Sequence, residues 1–180
     1  MKALFILSLA AAISFTEATL AQTPAERALT EAVAARGADD LQTAARKLDG
    51  VLATDPKNFR ANYERGLVYL SSGDDEKAIA SLEAAEAAMS GESTPDFTIY
   101  NSLGWAYLQA GRYADAQTEF DKGLAHRQEL PSSAQQSLLN NLATLYMATG
   151  QIDKAEAPLR DAAAQGSKRA AINLRSLPRK

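Results

Sequence analysis

The amino-acid sequence is that of an all-α protein, a solenoid of antiparallel helix pairs. Three patterns carry this reading. A glycine closes a helical pattern at Gly73, Gly111 and Gly150, 38 and 39 residues apart. Four residues before each glycine stands a tyrosine (Tyr69, Tyr107, Tyr146), itself three residues after a small residue (Gly66, Gly104, Ala143). After each glycine a second helical pattern carries an alanine (Ala78, Ala116, Ala155), then a large apolar residue four later (Leu82, Phe120, Leu159), then a small one three later (Ala85, Gly123, Ala162). Period and spacing both belong to helices. No segment alternates β-branched with polar residues, so no sheet is expected. Glycines at this spacing, with short loops, also argue against a coiled coil.

In chain order, the first element is an address. Lys2 precedes an apolar stretch, Ala3 to Phe15, and Thr19-Leu20-Ala21 places small residues around Leu20. Residues 1–21 therefore read as a secretory signal peptide, cut after Ala21. The apolar stretch is short of the roughly 20 residues that span a bilayer, and no other segment is long and apolar enough. Alanine richness and the absence of N-glycosylation sequons point to an exported, periplasmic protein, with secretion as the other destination. The rest, 22–180, reads as one repeat domain.

Thr23-Pro24-Ala25-Glu26 has the form of a capping box with proline at the first helical position. Asp55-Pro56 and Thr94-Pro95 repeat the cap-then-proline signal. Asp74 is placed to cap the helix after Gly73. Small residues at Gly66, Gly104 and Ala143 let paired helices approach closely, and Gly73, Gly111 and Gly150 stand where a turn needs a positive φ. Pro158 falls inside a second helix, where it should kink the helix or delay its start.

These residues resemble the tetratricopeptide repeat family, and the stretch LGWAYLQAGRYADAQTEF is close to its consensus. The family repeat is about 34 residues, so each junction here carries a few more, at Ser90 to Pro95 and around Leu130 to Ser133. The resemblance implies a right-handed α-solenoid with three full repeats, 57–94, 95–133 and 134–166. A degenerate repeat at 22–56 precedes them; Ala44, Leu48, Val51 and Pro56 fit its second helix and closing proline. A capping helix and basic tail, 167–180, follow, as expected where a terminal repeat would expose an apolar face.

The resemblance also implies a concave groove lined by the first helix of each pair. Its partner-binding positions are Tyr63, Leu67 and Leu70, then Asn101, Trp105 and Leu108, then Asn140 and Met147. Neighbouring groove positions are Arg60, Ser71, Thr98, Gln109, Ser137, Asn141 and Thr144. Asn101, Trp105 and Leu108 are spaced by four and three and share a face. Trp105 suits an anchor, since tryptophan buries a large area with few rotors. Asparagine amides can pair with the backbone of an extended ligand. One family variant clamps a terminal carboxylate with lysines and arginines; Tyr63, Leu67, Ser102 and Asn141 offer no such cluster.

Composition narrows the chemistry. The chain of 180 residues is 46% hydrophobic and 23% charged, an ordinary globular balance. A net charge of −3 makes no overall case for nucleic acid. Without cysteine there is no disulfide, thiol nucleophile or thiolate-held metal, and the single His126 excludes a multi-histidine site. No nucleophile-elbow, zinc-protease, dinucleotide or phosphate-loop motif occurs. No cofactor or metal is expected. Asp39-Asp40 and Asp74-Asp75-Glu76 read as helix-start charges, and His126 as a partner of a helix C-terminus. Charge is uneven: Asp74 to Asp96 holds seven acids and one base, and Lys168 to Lys180 five bases and no acid.

The expected function is therefore a non-enzymatic scaffold or adaptor that holds a peptide or helix of another protein in its groove. The alternative is an assembly or regulatory subunit that docks by its convex face or basic tail, with the groove self-filled. An enzyme is the third reading. Oligomeric state stays open.

Overall fold

The computed structural model describes residues 23–89 and 95–178. Among them are nine α-helices, a short 3₁₀ turn and no strand. The helices are α1 (Pro24–Gly37), α2 (Leu41–Thr54), α3 (Phe59–Ser72), α4 (Asp75–Met89), α5 (Thr98–Gln109), α6 (Tyr113–Ala125), α7 (Ser132–Ala148), α8 (Ile152–Ala164) and α9 (Lys168–Ser176). Four antiparallel pairs, α1/α2 to α7/α8, stack in chain order, and α9 packs on α8 and α7. The signal-peptide reading of 1–21 lies outside the described residues, as does Thr94.

Local chemistry sets the ends. Thr23 and Glu26 form the reciprocal capping box: Glu26 N–H donates to Thr23 Oγ1 at 3.1 Å and Thr23 N–H to Glu26 Oε2 at 2.6 Å. Asp40 and Ser167 cap α2 and α9. Asp74 Oδ1 accepts from Lys77 N–H at 3.3 Å. The Asp55-Pro56 signal is displaced. Asp55 ends α2, and Asn58 caps α3 by accepting from Ala61 N–H at 2.9 Å. Pro95 likewise lies before its helix, where Asp96 Oδ1 accepts from Thr98 N–H at 3.0 Å. At α3 the acceptor three residues past Asp55, Asn58, takes the free N–H of the first turn.

The turn glycines have φ of 74°, 73° and 72°. The residue after each, Asp74, Arg112 or Gln151, donates its N–H back to the carbonyl of Tyr69, Tyr107 or Tyr146. This is the bond that closes a helix on a left-handed residue. A cation then lies over each tyrosine ring: Lys77, Arg112 and Lys154. Gly66 and Gly104 serve close packing. A Cβ at Gly66 would stand 2.5 Å from Leu82, and one at Gly104 2.6 Å from the Phe120 ring.

The core runs the length of the stack. Leu29, Leu48, Val51 and Val68 fill its N-terminal part. Leu82, Leu103, Tyr107, Phe120, Leu138 and Leu142 fill the middle. Leu139, Leu159 and Ala162 fill the far end. The junction residues between α6 and α7 join this core: Leu130 is buried, and Gln135 Nε2 donates to its carbonyl at 2.9 Å. Pro158 does not delay α8, which runs from Ile152 to Ala164. Its cost is the missing N–H that would have bonded the Lys154 carbonyl.

Candidate binding groove on the first helices

The first helices α1, α3, α5, α7 and α9 lie side by side. Gly66 and Gly104 bring α3 and α5 close against α4 and α6, and the remaining faces of the first helices form a row. A ladder of polar contacts ties that row together. Arg36 Nη2 donates to Glu64 Oε2 at 3.1 Å, joining α1 to α3. The Tyr63 hydroxyl lies 3.1 Å from Thr98 Oγ1 and 3.2 Å from Ser102 Oγ, joining α3 to α5. Asn141 Nδ2 donates to Asn101 Oδ1 at 3.0 Å, joining α5 to α7. Asn173 Nδ2 donates to Asn140 Oδ1 at 2.9 Å, joining α7 to α9.

The ladder obeys one register. Aligned on Gly66, Gly104 and Ala143, the residues Tyr63, Asn101 and Asn140 share a position. Each meets the residue one place later on the following helix: Ser102, Asn141 and Asn173. The same register sets Ile172 at the position of Tyr63, Asn101 and Asn140, and Arg175 at that of Gly66, Gly104 and Ala143.

The expected groove residues divide accordingly. Tyr63, Leu67, Leu70, Asn101, Trp105 and Met147 are half-buried and reach the surface. Tyr63, Leu70 and Trp105 rest against the central core, and Met147 against the C-terminal one. Leu108 is a correction: it is 7% exposed and belongs to the central core, because α5 is flanked by both α3 and α7. Asn140 is the second. It is 2% exposed beneath α9, its carbonyl taken by Asn173 and its Nδ2 without a partner among the described residues. Among the described residues Asn101 Nδ2 has no partner at its half-buried position, so one of the two asparagines retains a donor for a ligand.

The mouth near α1 is a cleft of about 610 Å³ lined by Leu29, Phe59, Arg60, Tyr63, Glu64 and Asp96. Phe59 and Tyr63 stack there, centroids 5.9 Å apart.

Titratable groups elsewhere serve the stack. Tyr107 donates to the Glu83 carboxylate, and burial together with that bond pushes its phenol well above the ordinary range. Lys122 lies between Glu86 at 2.6 Å and Glu119 at 2.9 Å. Burial alone would lower its pKa, but the two bonds outweigh it and hold the ammonium above its usual value. Burial raises Glu119. His126 ends α6, but its ring does more than meet the helix terminus. It stacks on Phe97 at 3.9 Å and sets Nδ1 3.0 Å from Glu129 Oε1, pinning the turn before α5 to the end of α6. Asn173, the Phe97–His126 stack and the Glu83–Tyr107 bond escaped the sequence reading. None had a signal in the sequence; the one-place offset that sets Asn173 against Asn140 comes from the bonds themselves. Among the described residues no group of three or more His, Asp or Glu side chains is placed to hold a metal, and no helix is long and apolar enough to cross a membrane.

The comparisons with known proteins agree with this architecture. The profile of the Tetratricopeptide repeat family matches residues 29–93 and 101–170. The chain belongs to that family. Superkiller complex protein 3 of Homo sapiens is 43% identical over 58 residues, 32% of this chain; the match spans 4% of that much longer protein. Among solved structures, MamA protein is similar at TM-score 0.69 and 21% identity, covering 84% of this chain and 79% of that one. Pseudomonas aeruginosa PilF is similar at 0.73 and 13%, covering 86% and 67%. A chain of the APC/C hetero-tetramer Cut9–Hcn1 reaches 0.75 and 17%, covering 86% of this chain and 30% of that one. At these identities the likeness is one of fold.

Proposed function

We propose that this chain is an exported, periplasmic, non-enzymatic adaptor that holds a segment of another protein along its first helices. Tetratricopeptide proteins generally mediate protein–protein contacts. The supporting observation is the strip of half-buried Tyr63, Leu67, Leu70, Trp105 and Met147 beside Asn101 Nδ2, which has no partner among the described residues. Apolar anchors next to an unpaired donor suit an extended peptide, whose side chains and backbone carbonyls need both. Superkiller complex protein 3 is by its name part of a complex, which lends the reading support.

The test is retention from envelope extract by the purified chain 22–180 and by its Trp105→Ala variant, at temperatures where both are folded. A protein held by the first and lost by the second is the expected result. Equal retention by both removes the contact from Trp105 and overturns the groove reading. A second reading, docking by the C-terminal end with the groove partly self-filled, is favoured by the burial of Asn140 under α9.

A further inference from the structure

The seam between the second helices α6 and α8 differs in kind from the one a repeat earlier, between α4 and α6. In the earlier seam the polar side chains are paired. Tyr107 donates its hydroxyl to Glu83 of α4, and Lys122 of α6 bridges Glu86 of α4 and Glu119 of its own helix. In the later seam Tyr146 stands for Tyr107, Asp121 for Glu83 and Leu124 for Glu86. Pro158 stands for Glu119 and Asp161 for Lys122. None of those pairs survives. Asp121 is held by Gln117 of its own helix at 2.9 Å, and Asp161 by Arg127 at 2.8 Å. The Tyr146 hydroxyl has no hydrogen-bond partner among the described residues.

What this leaves is an apolar hollow of about 450 Å³. Leu139 and Leu142, both buried, form its floor with half-buried Leu124 and Pro158. Tyr146, Lys154, Ala157 and Asp161 complete the lining. At about 100° per residue, Leu139, Leu142 and Tyr146 leave α7 on another side from Asn140, Thr144 and Met147, so the hollow opens away from the groove. Two charges line it. The Asp161 carboxylate is taken by Arg127 and Gln165. The Lys154 ammonium meets only Gln151 Oε1 at 2.7 Å and the Tyr146 ring, 5.8 Å from its centroid, and has no ion pair among the described residues. The other charges of α8, Asp153, Glu156 and Arg160, line the separate cleft toward α9. An apolar floor beside an uncompensated cation and an open hydroxyl selects an occupant that is apolar with a carboxylate next to it. The earlier seam uses that same chemistry, one carboxylate on a tyrosine hydroxyl and others on a lysine.

We propose that the hollow between α6 and α8 seats a helix of a partner protein that carries a glutamate three or four residues from a leucine, a spacing that puts both on one face. The leucine fills the floor, and the carboxylate accepts from the Tyr146 hydroxyl and pairs with Lys154. This site is distinct from the groove on the first helices and does not rest on it. The interaction is charge-selective, weakened by salt, and indifferent to Trp105.

The test uses the full chain and three synthetic helices with leucines at i, i+3, i+4 and i+7. The residues beside the leucines are glutamates in the first, glutamines in the second and lysines in the third. Fluorescence anisotropy should show the glutamate helix binding roughly tenfold more tightly than the glutamine helix, and the lysine helix most weakly. Tyr146→Phe, which removes only the hydroxyl, should weaken the glutamate helix about three- to tenfold and leave the glutamine helix unaltered. Lys154→Glu should reverse the preference in favour of the lysine helix. Ala157→Glu, at an exposed position three residues from Lys154, should neutralise the ammonium from within the chain and weaken the glutamate helix. Circular dichroism with a melting curve verifies the fold of each variant. The proposal is overturned by absence of glutamate-helix binding, by equal binding of the glutamate and glutamine helices, or by an unchanged preference in Lys154→Glu. Binding that Trp105→Ala removes would assign the helix to the groove and overturn it too. Sedimentation showing self-association that Lys154→Glu abolishes would give the hollow to a second copy instead. Binding to anionic phosphatidylglycerol vesicles but to no helix would give it to a membrane.

Discussion

Asn141 donates its amide N–H to the Asn101 carbonyl oxygen across 3.0 Å, and so binds two first helices 40 residues apart in sequence. The pair sits half to fully buried at the centre of the row. A hydrogen bond of this kind contributes about 0.5–1.5 kcal/mol net. Replacing Asn101, Asn141 and both by alanine in a double-mutant cycle should give a coupling of that size by urea unfolding. A coupling near zero would make the ladder incidental.

Gly104→Ala should destabilise by about 1–3 kcal/mol, because the new Cβ meets a fully buried ring that cannot move aside. Phe120→Leu in the same chain should recover part of the loss. Midpoints of chemical unfolding decide the matter, and a Gly104→Ala variant as stable as wild type contradicts the packing described.

Alkaline pH should weaken the fold. The folded chain holds the protons of Tyr107 and Lys122 more tightly than the unfolded chain, where they leave near 10.0 and 10.5. Their stabilisation is therefore complete below about pH 10 and is lost as pH rises further. Melting temperature should stay level from neutral pH to that point and then fall. The Tyr107→Phe, Lys122→Met double variant should fall less steeply over the same range.

Pro158→Ala should stabilise the chain, by up to about 3 kcal/mol, by restoring a donor to the Lys154 carbonyl. The ring also lines an apolar hollow with Leu124, Leu142 and Tyr146. A loss of stability on substitution would show that packing in this hollow outweighs the missing bond.

The parts of this fold legible in sequence are those set within one helix or one turn. Gly73, Gly111 and Gly150 announce themselves because a left-handed turn admits few other residues. Leu82 and Phe120 are readable from helical spacing alone. The site was harder. Asn101 and Asn140 look alike in their repeats and neither Nδ2 has a partner among the described residues, but Asn101 is half-buried and Asn140 is covered by α9, which no local pattern reveals. Leu108 and Met147 also share a column; flanking helices bury the first and leave the second partly open. His126 was legible as a helix-end residue, while its stack on Phe97 depends on a contact across the junction.

Asn140 and Asn141 are consecutive, yet Asn141 reaches back to α5 and Asn140 forward to α9. Consecutive residues on a helix point about 100° apart, not 180°. A helix whose two neighbours attach on bearings that far short of opposite cannot stand in a straight row. The line of first helices must bend toward the edge that carries the ladder, and the second helices take up the wider outer arc. The radius of that arc is thus written in the one-place offset between columns. Moving either asparagine by one turn would leave the contacts possible but change how tightly the coil winds.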